Sequence, residues 1–488
     1  MRAPRKLGRR VAAAPTLSVR LVGHVTLDVQ ASGHAVAQVQ GFSVGLGKLS
    51  AAAAERARQL RTGFPLAAFA SARRPVEKEI HHLVRRLAAR GLVEYRLAAT
   101  RGGGDQVVIE PQMPDYWPRT PRLRGSDRLV LSRFAYLRRR AYELVLESPR
   151  SGALFKISDA KVAGILAALA TPHRIEHLRR RPGFPGLPLL ALLVDCEILF
   201  RVAASDAGLR PTEGDDSLVM WDFHDLLFHA RSTEGRHANP SGGIYPYAGA
   251  IAELPAVRPR WPGEAIDLRP PSAAAAGPSP MAELLQKRHS TRDFDDRSPI
   301  TLAELAQFLD VAARVRSEQS TTLDLGGGDL SSTYALRLYP SAGAGYELEL
   351  YLAVDRCEGL PRGFYHYDAG AHAVTPIEVR GAELDAALDA ATVAMGAIGR
   401  PQILITIAAR FGRLSWKYSS IAYGLILKDV GVLLQTFYLM ATDIGLGGCA
   451  VGSTNIQLFA RMTGIDFHVE GAVGQFALGR GAAPARSD

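Results

Sequence analysis

The sequence predicts an α+β chain of several domains, on three observations. Strands and helices follow in mixed order over residues 281–482, two upstream stretches share one outline, and a proline-, alanine- and glycine-rich segment lies between. At 488 residues the chain exceeds one ordinary core, so two to four domains are expected.

The first module covers residues 17–118. Alternation in Leu17-Ser-Val-Arg-Leu-Val and Ala35-Val-Ala-Gln-Val predicts short strands. Helices are predicted over 51–61 and 76–90, the second with Ile80, Leu83 and Leu87 on one face. Gly91 is a natural stop, and Leu92-Val-Glu-Tyr-Arg-Leu then reads as a strand leading to the turn Gly102-Gly103-Gly104. Helix, helix, glycine, strand, turn, strand is the order of a winged helix-turn-helix. The second module, 126–202, has strands at 141–146 and 153–157 around the turn Ser148-Pro-Arg-Ser-Gly152. Helices at 159–170 and 187–195 and a strand at 197–202 close it, which gives a second winged-helix-like outline.

Residues 203–280 read as a connector, with extended stretches such as Arg258-Pro-Arg-Trp-Pro. Within it, Trp221-Asp-Phe-His-Asp-Leu-Leu-Phe-His-Ala is amphipathic and is expected to dock. Its His224 and His229 read as surface or core imidazoles, a catalytic role being the alternative. The last region, 281–482, is predicted to run helix (281–287), helix (302–315), strand (336–339), strand (347–354) and helix (384–395). A strand (403–408), a long helix (419–445) and a final strand (473–477) complete it.

Composition excludes several classes. With 47% hydrophobic and 22% charged residues the chain reads as globular rather than disordered. No run of 18 uninterrupted apolar residues occurs, and the apolar stretch after the basic N-terminus is too short for a signal-peptide core, so a cytoplasmic location is expected. Cys196, Cys357 and Cys449 are scattered and odd in number, which supports neither a disulfide framework nor a zinc cluster, and no metal site is expected. The net charge of +10 is concentrated upstream, in Arg85-Arg86, Arg138-Arg139-Arg140 and Arg179-Arg180-Arg181. These runs read as solvated helix faces, with an acidic peptide or nucleic acid as the alternative partner.

Four motifs carry the chemistry. Arg288-His-Ser-Thr-Arg292 places two guanidiniums and the Ser290 hydroxyl within five residues, donors that suit phosphate oxygens. Pro340-Ser341-Ala-Gly343-Ala-Gly-Tyr combines a hydroxyl with small residues that let a backbone lie close to a flat ligand. Trp416-Lys417-Tyr418 sets an amine beside a phenol, a pair suited to proton transfer because a nearby cation favours the ionised phenol. Asp443-Ile-Gly445-Leu-Gly447-Gly-Cys-Ala-Val-Gly follows a helix rather than a strand, so it is no dinucleotide fingerprint, but its glycines permit close approach of main-chain amides.

In this order and spacing the four motifs resemble the nitroreductase superfamily, and more narrowly the SagB-type dehydrogenases, which include the azoline oxidases of thiazole/oxazole-modified peptide and cyanobactin pathways. The resemblance covers the last ~200 residues and extends upstream through Ser132-Arg-Phe-Ala, Glu147-Ser-Pro and the segment from His224 to Arg236. It implies an FMN-dependent homodimer. Arg288, Ser290 and Arg292 would hold the FMN phosphate and ribityl chain, with Arg480 a further phosphate contact. Pro340, Ser341 and Gly343 would lie against the isoalloxazine, from the partner subunit. Gly445 and Gly447 fall on the family's Gly-Leu-Gly loop, Gln435 on a glutamine of its long helix, and Lys417 and Tyr418 on the Lys-Tyr pair of azoline dehydrogenases.

The implied activity is oxidation of a peptide-borne thiazoline or oxazoline to the azole, with Tyr418 as base assisted by Lys417. The upstream modules would bind a precursor leader peptide or a cyclodehydratase. Two alternatives stay open: an NAD(P)H-dependent nitro- or quinone reductase, and a flavin-linked DNA-binding regulator. The chain departs from the family pattern at Gly345 and Glu347, which replace a bulky residue and a proline, and at Asp429-Val-Gly-Val432, which replaces Glu-Ala-Gly-His. These departures bear on the substrate rather than on flavin binding.

Overall fold

Two units divide the chain, Met1–Ala238 and Asn239–Asp488. The computed structural model describes residues 16–39, 42–69, 74–98, 104–202, 216–238, 245–260, 262, 264, 266–268, 278–324 and 329–482. The basic N-terminus, Gly102 and Gly103 of the predicted turn, and connector stretches 203–215 and 269–277 lie outside them.

The first unit opens with strands β1 (Leu17–Leu21), β2 (Thr26–Val29), β3 (His34–Val39) and β4 (Phe42–Lys48). Helix α1 (Ala51–Ala57), β5 (Phe64–Pro65), α2 (Pro75–Ala88), β6 (Val93–Ala98) and β7 (Asp105–Pro111) follow. Ser50 caps α1 by accepting the Ala53 N–H, and α2 buries Ile80, Leu83, Val84 and Leu87 at the three-and-four spacing of one helix face. Next come β8 (Arg128–Leu131), β9 (Tyr136–Arg140), β10 (Glu143–Glu147), β11 (Ala153–Ile157), α3 (Ala160–Ala168), β12 (His173–Arg174) and α4 (Ile175–Leu178). The unit ends with α5 (Leu187–Asp195), β13 (Leu199–Val202), α6 (Asp216–Val219) and α7 (Phe223–Ser232).

The two predicted modules are not separate bodies. A seven-stranded sheet, β5-β1-β6-β7-β11-β10-β9, runs through both, joined where β7 pairs antiparallel with β11 and Ile109 faces Phe155. One buried core takes Leu83 and Tyr95 from the first stretch and Phe155 and Leu190 from the second. Pairing satisfies the free edge of β7, which the sequence leaves unassigned.

The connector is also shorter than predicted. Helix α7 buries Leu226, His229 and Ala230, Arg231 pairs with Glu147, and Arg133 reaches the carbonyls of Leu218 (2.6 Å) and Trp221 (2.8 Å). Residues 216–238 therefore belong to the first unit. His229 stacks on Trp221 and His224 is exposed beside Asp225. The arginine run 138–140 lies on the edge strand β9 rather than on a helix; Arg138 pairs with Glu147 and Arg140 with Glu110 and Glu143.

The second unit begins with α8 (Pro280–Lys287) and α9 (Leu302–Ala313), the latter started by a Thr301–Glu304 capping box. A two-stranded ribbon, β14 (Ser317–Asp324) and β15 (Asp329–Leu336), comes next. The predicted strand over 336–339 is instead the exit from β15, turned toward Pro340. Then come β16 (Leu348–Val354), β17 (Gly363–Asp368), β18 (Ala373–Ile377), α10 (Gly381–Ala394), β19 (Ile403–Arg410), α11 (Phe411–Ser415), α12 (Ala422–Asp443), β20 (Gly447–Val451), α13 (Ile456–Thr463) and β21 (Glu470–Gly479).

Six strands form one antiparallel sheet, β18-β17-β16-β19-β21-β20. These helices and this sheet make the unit α+β, as the sequence predicts. Helix α12 packs on it through Phe437, which meets Phe308 of α9 at 5.2 Å and Phe476 of β21 at 5.4 Å. Phe459 of α13 meets Tyr351 of β16 edge-on at 5.0 Å. At 22 residues, α12 is long and apolar enough to cross a membrane by composition, and a third of its most apolar window is buried. Its contacts with α9 and the sheet make it a core helix with one side uncovered in the single chain.

Candidate functional site

Helix α12 organises two clusters from the four motifs. The first surrounds Tyr438. Its hydroxyl stands 2.8 Å from Ser290 Oγ and accepts the Ala450 N–H at 2.9 Å, while the Arg288 guanidinium lies 5.2 Å from its ring centre. Thr291 N–H donates to the Gly448 carbonyl at 2.9 Å, which ties the arginine motif to the glycine loop.

Gly445 ends α12 in the left-handed region at φ +74, a conformation that favours glycine. Gly447 is needed for close packing, because a Cβ there would lie 2.6 Å from the Thr291 side chain. Gln435 is exposed one turn before Tyr438, on the neighbouring face. Arg288 and Arg292 form no ion pair among the described residues, whereas Arg480 is committed to Glu304 at 2.7 and 2.9 Å and to the Ser298 carbonyl. Two guanidiniums without an ion pair among the described residues, in the motif that carries the Ser290 hydroxyl, suit a phosphate dianion; the Arg480 guanidinium is already occupied.

The second cluster joins the 340–347 loop to the Lys-Tyr pair. Lys417 Nζ donates to the Gly343 carbonyl at 2.9 Å and lies 5.5 Å from the Tyr334 and Tyr418 ring centres. Gly343 has φ +53, and a Cβ on it would fall 2.2 Å from Tyr418 Oη and 2.7 Å from Lys417 Nζ. The bare backbone there leaves both side chains beside an exposed strip of loop, as a flat ring would require. Pro340 is exposed at the loop's entry, and Ala344 and Tyr346 also take positive φ, so the contacts around the loop hold a costly conformation.

Ser341 anchors this loop. Its Oγ lies 2.9 Å from Asp429 Oδ2 on α12, accepts the Tyr346 N–H at 2.9 Å and lies 3.4 Å from Glu347 Oε2. Asp429 Oδ2 also accepts the Ala342 N–H at 2.8 Å. Glu347 is fully buried, and burial, then the charge of Asp429, push its carboxyl up to about 7. Tyr438, Tyr334 and the Glu347–Asp429 pair escape a reading by motif. The available signal was that Glu347 and Asp429 both stand where the chain departs from the family pattern.

The two clusters do not meet within one chain. Asp429 and Tyr438 are nine residues apart on α12, a rise of about 14 Å and two and a half turns, so they face opposite sides of the helix.

The nitroreductase family profile matches residues 285–480, which hold every one of these contacts. A protein of Methanocaldococcus jannaschii described as a nitroreductase is 31% identical over 173 residues, 36% of this chain and 78% of that relative. The chain belongs to the nitroreductase family. It is therefore an oxidoreductase, and FMN is the cofactor that goes with this family; similar structures include an FMN complex from Desulfovibrio desulfuricans (13% identity, 43% of this chain and 92% of that one, TM-score 0.28).

A second profile, cyanobactin oxidase ThcOx, matches residues 129–238. Its last matched residue is the last residue of the first unit. The trifolitoxin-processing protein TfxB of Rhizobium leguminosarum bv. trifolii is 27% identical over 144 residues, 29% of this chain and 39% of that relative. The Escherichia coli microcin synthetase McbBCD complex, with truncated pro-MccB17 bound, includes a chain aligned at 18% identity over 55% of this one and 96% of its own length, with a TM-score of 0.39.

Proposed function

We propose that this nitroreductase-family protein is an FMN-dependent dehydrogenase that oxidises thiazoline or oxazoline rings in a ribosomally made peptide to thiazole or oxazole. The observation that carries it is the Lys417–Tyr418 pair drawn onto the loop at Gly343. A nitro- or quinone reductase needs no such base. The cyanobactin oxidase profile over 129–238 and the likeness to a trifolitoxin-processing protein support the peptide substrate.

Bound FMN would take up the two electrons and one hydrogen that aromatisation of the ring releases. Tyr418 Oη would accept the other, acidic proton of the ring. Lys417, fixed on the Gly343 carbonyl, would stand beside that oxygen. Arg288, Ser290 and Arg292 would grip the phosphate and ribityl chain, with Gln435, Gly445 and Gly447 beside them, and Pro340, Ser341 and Gly343 would lie along the ring.

We read the opposed facing of the clusters as the mark of a homodimer, in which each site takes the Tyr438 cluster from one copy and the Gly343 cluster from the other. The first unit would bind the leader of the precursor peptide or a cyclodehydratase.

Full-length protein should be yellow and should remove two hydrogens per ring from an azoline-bearing peptide, read by mass spectrometry. Tyr418→Phe and Lys417→Ala should keep FMN and lose azole formation by at least about 100-fold. Unchanged turnover in both would sink the assignment, and rapid bleaching by NADPH without peptide turnover would favour the reductase reading.

A further inference from the structure

Behind the 341–346 loop lie two carboxyl groups with too few donors between them. Ser341 Oγ carries one hydrogen, and its shorter contact, 2.9 Å against 3.4 Å, assigns that hydrogen to Asp429 rather than Glu347. The Ala342 N–H goes to the same Asp429 oxygen. Glu347 is left fully buried, and its Oε1 has no hydrogen-bond partner among the described residues.

The titratable groups facing Glu347 are Asp429 from α12 and Tyr339 from the preceding loop. The neighbouring cations are engaged on carbonyls: Arg337 on Ala313 and Tyr346, Arg413 on Gly345 and Thr333, Lys417 on Gly343. Two buried carboxylates that share the Ser341 hydroxyl, with the neighbouring cations engaged elsewhere, do not ionise together.

We propose that Glu347 and Asp429 hold one proton between them, and that this proton seats the 341–346 loop for FMN, making Glu347 a positioning residue. The second half rests on the flavin reading above; the first half does not. With the proton present, Glu347 donates to Asp429, and Asp429 stays anionic to hold the Ser341 hydroxyl and the Ala342 N–H. With it gone, two like charges face each other behind a loop already held at positive φ, and the Asp429 anchors are the contacts that give way. The raised Glu347 carboxyl puts that transition near neutral pH.

Glu347→Gln tests this, because it keeps the shape and a donor for Asp429 but cannot titrate. Two quantities are read on the full chain from about pH 5.5 to about pH 8.5: the thermal midpoint of FMN-free protein, and the Kd for FMN by fluorescence quenching. The wild-type midpoint should fall as pH rises through neutrality, and FMN affinity should weaken about tenfold, the effect of one pKa unit of coupling. The variant should show neither change. Parallel curves for the two proteins, or a flat wild-type midpoint, would overturn the shared proton.

Should the chain bind no FMN at any pH, the flavin reading fails while the midpoints still decide the proton. If the variant does not fold, the infrared band of a protonated buried carboxylic acid in FMN-free wild type serves instead. It should be present at the acid end and lost at the alkaline end; its absence at the acid end would overturn the proposal.

Discussion

Lys417 Nζ donates to the carbonyl of Gly343 at 2.9 Å, and Tyr418 occupies the space that a side chain on Gly343 would need. The pair and the loop are thus one device. Gly343→Ala should strain a left-handed residue by about 1–2 kcal/mol and displace the Tyr418 hydroxyl. We expect a folded, FMN-binding protein whose azoline turnover falls about 100-fold, as misplacement by an ångström does. Full turnover with a normal melting curve would separate the pair from the chemistry.

The guanidiniums of Arg288 and Arg292 are expected to bind phosphate. Alanine at either should raise the Kd for FMN by about ten- to a hundredfold, the value of one charge-assisted hydrogen bond. Arg480→Ala should instead lower stability through Glu304 and leave the FMN affinity within about twofold. Equal losses of FMN in all three variants would contradict the distinction.

Tyr438→Phe removes the oxygen that meets Ser290 and accepts the Ala450 N–H. Leaving that N–H without its acceptor should cost about 1–3 kcal/mol in the melting transition. FMN should also be lost more readily on dilution, which flavin fluorescence in a filtrate would record.

Because the two clusters face opposite sides of α12, their defects should complement. Arg292→Ala alone and Tyr418→Phe alone should each be poorly active. Mixed after unfolding and refolding, they should recover about a quarter of the wild-type sites, since half of the dimers then carry one intact site. No recovery from a properly mixed dimer would place both clusters in one chain's site.

In the first unit, burial alone would raise the Glu110 carboxyl, but hydrogen bonds from Arg140 and Lys156 outweigh it and hold the group below its ordinary 4.5. A lowered carboxyl stabilises the fold above its unfolded value and loses that contribution as pH falls through the folded one. Glu110→Gln should therefore melt earlier than wild type at neutral pH, and the two curves should converge below about pH 4. Curves that stay apart in acid would rule out charge as the cause.

Much of the second unit was legible because its buried elements announce themselves. The long apolar run of α12 and the strands β16 and β19 needed no tertiary information. The ribbon β14–β15 was missed because 317–322 is exposed throughout, so no alternation marks it. In β17, polar residues such as His366 and Asp368 interrupt the apolar run. At the site, the four motifs could be read locally. The Ser341–Asp429 and Ser290–Tyr438 contacts span 88 and 148 residues, and no local pattern encodes them. The boundary expected between 118 and 126 failed for the same reason, since β7 finds its second neighbour, β11, only in the folded chain.

That pairing sets where this protein can be cut. A fragment ending at residue 118 would expose the hydrogen-bonding edge of β7 and strip Phe155 from Ile109, inviting chain-to-chain association rather than independent folding. Scissors placed after Ala238 would leave both halves of the sheet together. Hydrogen exchange should accordingly show β6, β7, β10 and β11 opening as a single cooperative block, so any ligand gripped by one half would steady the other.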